Sequence, residues 1–192
     1  MSKREEFAAA IKLAAWGYIF ILFNINIGTL DLLPNWLGYI FLLVSAGKMA
    51  NHIDGAKHLR VLAMILTASS AVDFVEQLFS FSILSGFYVV SIIISVVGLY
   101  FHFEFLTYTA DIAEKFAPEK KKGIIISRNA YVILNCVTTV WVLFLGELVE
   151  EYVYSTFLLI IAQFCVMIYI CRSLFSLAKA LRENAEENEE IT

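Results

Sequence analysis

Charge is scarce in this sequence: only 17% of its 192 residues are Asp, Glu, Lys or Arg, while 60% are hydrophobic. Soluble domains run at about 25% charged and about 45–50% apolar residues. A chain this apolar has too little polar surface to cover its own core in water, which excludes an ordinary soluble domain. Proline is scarcer still, at Pro34 and Pro118 only, and there are nine glycines. Helices can therefore run long, and the paired Gly/Pro interruptions common in transporters are missing. The three cysteines, Cys136, Cys165 and Cys171, all lie in apolar runs. An odd count without CxxC spacing excludes a disulfide framework, a zinc site or a thiol redox pair, and these residues read as small buried hydrophobes. The sequence has no H-E-x-x-H, no G-x-x-x-x-G-K-[ST] and no G-x-S-x-G. Zinc-protease, P-loop and serine-hydrolase chemistry lose their residues with those strings.

What is present is apolar length. Mean hydropathy is +0.75. A helix needs roughly 20 residues to cross about 30 Å of hydrocarbon. Apolar runs of that size predict an all-α polytopic membrane bundle of six transmembrane helices, at about 8–29, 34–50, 60–82, 86–109, 128–149 and 153–172. The first run continues past any A-x-A-like cleavage site and so reads as an uncleaved span. The second is short, begins at Pro34 and holds Gly38 and Gly47, so it reads as a full crossing or a re-entrant segment. The length suits one domain over 1–192, with a cytoplasmic tail at 173–192.

Lys and Arg are retained on the cytoplasmic side. All fourteen precede or begin the first span, bracket the connections after the second and fourth spans, or lie at and beyond the end of the sixth. Six spans arranged as three hairpins, with both termini cytoplasmic, put every one of them inside, whereas five spans would expose a cluster. Trp36, Tyr39, Phe87, Tyr88, Tyr152 and Tyr154 then fall near the outer interface, and Tyr100, Phe101, Phe103, Phe105 and Tyr108 near the inner one.

The segment Asn24-Ile25-Asn26-Ile27-Gly28, followed by Leu33-Pro34-Asn35-Trp36-Leu37-Gly38-Tyr39, resembles a first-hairpin pattern of small polytopic membrane proteins of Gram-positive bacteria. The resemblance spans about 25 residues. It implies a bacterial plasma membrane and a six-helix bundle, and no activity. From the residues themselves, Gly28 and Pro34 shape a tight outer turn. Glu150-Glu151 matches the paired glutamates of CAAX-type intramembrane proteases, but the arginine expected shortly afterwards is missing and His52, His58 and His102 fall on the cytoplasmic side. No enzyme, cofactor or metal site is expected.

Ionisable residues at membrane depth are costly and default to functional candidates. Asp73, Glu76 and Gln77 share one helix face by i, i+3, i+4 spacing, and Glu147, Glu150 and Glu151 repeat the pattern. The two strings suit an outer cluster that binds or senses a small solute or cation, or they are simply acids on the side from which Lys and Arg are excluded. His102 and Glu104 read as interfacial, pointing to different faces. Asn24, Asn26, Asn135, Thr138, Thr139 and Gln163 are expected to hydrogen-bond between helices. The connection at about 110–127 reads as a cytoplasmic loop, partly disordered. Its Lys120, Lys121 and Lys122 are expected to contact anionic lipid headgroups of the inner leaflet. Beyond, a helix carries Leu174, Leu177 and Leu181 on one side and ends in the acidic stretch 183–190. Three functions stay open: a solute- or cation-binding membrane protein, an accessory subunit of a membrane complex or homo-oligomer, and a small-solute transporter. No nucleic-acid partner is expected.

Overall fold

The computed structural model describes residues 2–22, 26–27, 30–31, 35–79, 88–145 and 152–190. Six α-helices occur among them. They are α1 (Lys3–Leu22), α2 (Asn35–Ala50), α3 (Lys57–Phe79), α4 (Tyr88–Phe116), α5 (Pro118–Leu145) and α6 (Val153–Glu190). A single 3-10 turn, Asp54–Ala56, leads into α3. Between α1 and α2, β1 (Asn26–Ile27) pairs antiparallel with β2 (Leu30–Asp31), Asn26 opposite Asp31 and Ile27 opposite Leu30. The expectation of a helix to 29 is thus not met: α1 is described to Leu22, and Asn26–Ile27 is extended.

Each helix packs on its neighbour in the chain, and α6 returns to pack along α1, closing a ring. The α3–α4 seam is the loosest. The ring begins with a reciprocal cap: the Glu5 amide donates to Ser2 Oγ (3.3 Å) and the Ser2 amide to Glu5 Oε2 (2.5 Å), satisfying donors that a helix start leaves orphaned. Small residues on α1 let α2 approach closely. Ala10 and Ala14 are fully buried, and Ser45 Oγ donates to the Ala10 carbonyl at 2.8 Å. Further along, Gly17 faces Gly38. A Cβ on either would lie 2.8 or 2.7 Å from the other's carbonyl oxygen, so only glycine permits this crossing. Gly47, by contrast, has open space around it.

Four helical segments are long and apolar enough to cross a membrane: Asp54–Phe79, Val89–Phe116, Pro118–Trp141 and Val153–Glu186. At 1.5 Å per residue, the 29 residues of α4 and 38 of α6 reach about 43 and about 57 Å, beyond the hydrocarbon thickness. Their surplus lies at the ends nearest the chain's N-terminus, where the core is densest. There α4 buries Thr109, Ala110, Ile112 and Ala113 and exposes Asp111, Glu114 and Lys115, the face pattern of a helix in water. The expected loop at 110–127 is therefore helical: α4 runs to Phe116, Ala117 alone interrupts, and Pro118 opens α5, where a missing N–H costs nothing. Asn184 Nδ2 donates to the Phe116 carbonyl (3.0 Å), closing a helix end that would otherwise leave that acceptor open.

The opposite halves of the long helices are sparsely packed. Val89, Ile93, Val96, Ile133, Val140, Phe157 and Leu158 expose more than half of their surface. Cys136 and Cys165 share that outward face and only Cys171 is buried, so two of the three cysteines are not the core residues the sequence suggested.

Candidate functional site

The acidic string of α3 splits between two environments. Asp73 and Gln77 are exposed, whereas Glu76 turns inward and is only 5% exposed. Asp73 lies six residues before the helix end at Phe79, about 9 Å below it. The Tyr39 hydroxyl of α2 sits within electrostatic reach of the Asp73 carboxylate, and Asp73 and Glu76 act on each other. Trp36 packs beside Phe74, ring centroids 6.3 Å apart, holding α2 and α3 together at this level. The companion acids Glu147, Glu150 and Glu151 lie outside the described residues, and so do Asn24, Gly28, Pro34 and the side chain of Asp31.

Tyr39 leads inward to a group that the sequence placed elsewhere. His102 is 2% exposed at the ring's centre. Its Nδ1 is hydrogen-bonded to the Tyr18 hydroxyl of α1 at 2.9 Å. Tyr18, Tyr39 and Tyr131 place their rings 5.3, 6.2 and 5.0 Å from the imidazole, from three different helices. Phe101 and Phe105 are also fully buried here. His102, Phe101 and Phe105 thus face the protein core rather than lipid or water, and α4 continues seven residues past the expected end at 109, to Phe116. Glu104 does point elsewhere: its carboxylate is 3.7 Å from His58 of α3, an ion-pair distance longer than a hydrogen bond, and His58 Nε2 has no hydrogen-bond partner. Tyr18 carried a visible signal, since it follows Gly17 as Tyr39 follows Gly38, and the glycine contact turns both rings towards α4.

At the other end of the ring, four helices meet. Arg4 Nη1 donates to the Asn184 carbonyl (2.9 Å), and its guanidinium lies 5.4 Å over the Phe116 ring. His52 donates to Glu6, and that hydrogen bond holds the Glu6 carboxyl below the usual carboxylate range. Lys120, Lys121 and Lys122 are in the first turns of α5 rather than a loop. Lys121 pairs with Glu114 at 2.5 Å, Lys122 is exposed, and Ile124 is fully buried.

Among the described residues no three His, Cys, Asp or Glu side chains converge to hold a metal ion. The arrangement offers two carboxylates one helical turn apart and, behind Tyr39, a packed polar centre of one imidazole and three phenols. Of the uncharged polar groups, Asn135 bonds its own helix at the Tyr131 carbonyl (2.8 Å) instead of bridging helices. Compared with known proteins, the chain matches no family model, and neither curated proteins nor solved structures show significant similarity to it.

Proposed function

We propose that this chain is a non-enzymatic protein of a bacterial plasma membrane that binds a small cation or cationic solute at Asp73 and Glu76. In this reading all six helices cross the bilayer as three hairpins and both termini are cytoplasmic. The distribution of Lys and Arg supports the topology, and the first-hairpin resemblance supports the membrane. The observation that carries the function is the placement of two carboxylates, Asp73 and Glu76, one turn apart on a helix apolar enough to span a membrane. Ionisable residues at membrane depth default to functional candidates, and two neighbouring negative charges attract a cation. Glu147, Glu150 and Glu151 at the outer end of the fifth span complete the negative field in this reading.

The test is thermal stability of the purified protein against added monovalent and divalent cations. A ligand at a hundred times its Kd stabilises by about 2.7 kcal/mol. Wild type should show a cation-dependent rise in Tm that Asp73→Asn and Glu76→Gln remove. Equal responses in wild type and both variants would refute the site. A second reading, an accessory subunit or homo-oligomer, draws on the exposed apolar faces of α5 and α6. It expects a partner or second copy to co-purify in mild detergent. A transporter has less support, because the helices lack paired breaks.

A further inference from the structure

A crevice of about 440 Å³ opens between the end of α1 and the outer halves of α5 and α6. Its walls are mostly apolar, with Ile21, Leu159, Ile160 and Phe164 among them. Two residues that line it, Thr138 and Gln163, each carry a buried polar atom, Oγ1 and Oε1, that has no hydrogen-bond partner. Thr138 departs from the local habit of this protein. Thr67, Ser95, Thr107, Thr109, Ser127 and Thr156 all donate to the carbonyl four residues back, at 2.7 to 3.2 Å. That bond is the cheapest way to satisfy a hydroxyl in a membrane helix, and Thr138 does not make it. Trp141 Nε1 donates to Thr156 Oγ1 (3.3 Å) across the two helices, one turn from Thr138.

Unpaired polar atoms in hydrocarbon are expensive, so two of them in one apolar crevice call for an occupant. Gln163 Oε1 can only accept, and Thr138 Oγ1 can do either. The complement is a molecule with a hydroxyl or N–H on an apolar body. Gln163 lies ten residues into α6, about 15 Å from its end, so the polar group enters well below the headgroups. The volume falls in the range of small-molecule sites, roughly 300–1,000 Å³, and a partner helix would need a long groove instead. We infer that this crevice binds one apolar chain bearing a hydroxyl group, drawn from the bilayer, with the hydroxyl held between Thr138 and Gln163. This site is separate from Asp73 and Glu76 and does not rest on the cation reading.

The probes are a long-chain alcohol carrying a photoreactive diazirine and the matching alkane, each added to the full chain in lipid nanodiscs. Crosslinked residues are read by mass spectrometry. The alcohol is expected to label Leu159, Ile160 or Phe164 with an affinity about tenfold above the alkane's, the gain of one satisfied hydrogen bond. Thr138→Val with Gln163→Leu should abolish that preference. Equal labelling by alcohol and alkane in wild type overturns the proposal without any variant, and so does no labelling by either, the result expected if water fills the crevice. A preference that survives the double substitution overturns the assignment of Thr138 and Gln163.

Discussion

Adding one methyl group at Gly17 tests how the ring is closed around its centre. An alanine Cβ there would lie 2.8 Å from the Gly38 carbonyl oxygen and 3.2 Å from Leu42 Cγ and Phe41 Cβ; at Gly38 it would lie 2.7 Å from both the Gly17 oxygen and Ile21 Cγ1. The nearest atoms include backbone oxygens, which cannot swing aside, so α1 and α2 must separate. Overpacking of this kind costs about 1–3 kcal/mol. Against it stands the gain of replacing a mid-helix glycine, roughly 0.5–1 kcal/mol. The clash wins, and Gly17→Ala or Gly38→Ala should each destabilise by about 1–2 kcal/mol. For a chain of this size that lowers Tm by about 2–8 °C. Gly47→Ala supplies the control: nothing lies within 4 Å of its Cβ, so only the helix gain remains and Tm should rise slightly. Once either methyl has parted the helices, the other has less to push against, so the double variant should lose less than the sum of the two. The assay is unfolding of the purified protein in detergent, followed by tryptophan fluorescence. Stabilisation at Gly17 equal to that at Gly47 would refute the close crossing, and with it the route by which Tyr18 and Tyr39 reach His102.

Tyr18→Phe removes the one hydroxyl bonded to His102 Nδ1. A buried polar atom left without its partner costs about 1–3 kcal/mol, and the drop in Tm caused by Tyr18→Phe should be smaller in a His102→Phe background than in the wild type. The Glu6 carboxyl is held low by His52, so its stabilising contribution is full above the ordinary carboxylate range and lost as pH falls through the lowered value. Glu6→Gln should therefore lower Tm at neutral pH, where that contribution is full, leave Tm at low pH little changed, and so flatten the acid side of a Tm-against-pH curve.

The helices long and apolar enough to span were legible because hydrophobic length alone reports them, and the far half of α6 was legible because Leu174, Leu177 and Leu181 keep helical spacing; all three are fully buried. The continuation of α4 was hidden by the opposite error of emphasis. Asp111, Glu114 and Lys115 read as a loop by their charge, although Ala110, Ile112 and Ala113 between them are buried. A charged stretch can be a helix with one dry face. The candidate site was legible in part. Ionisable residues at depth drew attention to Asp73 and Glu76, but which of them turns inward depends on the rotation of α3 about its axis, which no spacing rule supplies. His102 was missed for the same reason: its role comes from Tyr18, Tyr39 and Tyr131 on three other helices, contacts distant in sequence.

The topology of six crossings is tested most directly by accessibility of single cysteines in intact cells. The background replaces Cys136, Cys165 and Cys171 with alanine, and the reporters are Asn35→Cys, Asn51→Cys, Lys122→Cys and Tyr154→Cys. Tyr154 is 87% exposed at the start of α6, and Asn51 and Lys122 are also exposed. A membrane-impermeant maleimide should label Asn35→Cys and Tyr154→Cys from outside, and Asn51→Cys and Lys122→Cys only after lysis. Outside labelling at Lys122→Cys, or labelling of Asn35→Cys only after lysis, would contradict a bundle whose first hairpin crosses the membrane and whose basic residues all face the cytoplasm.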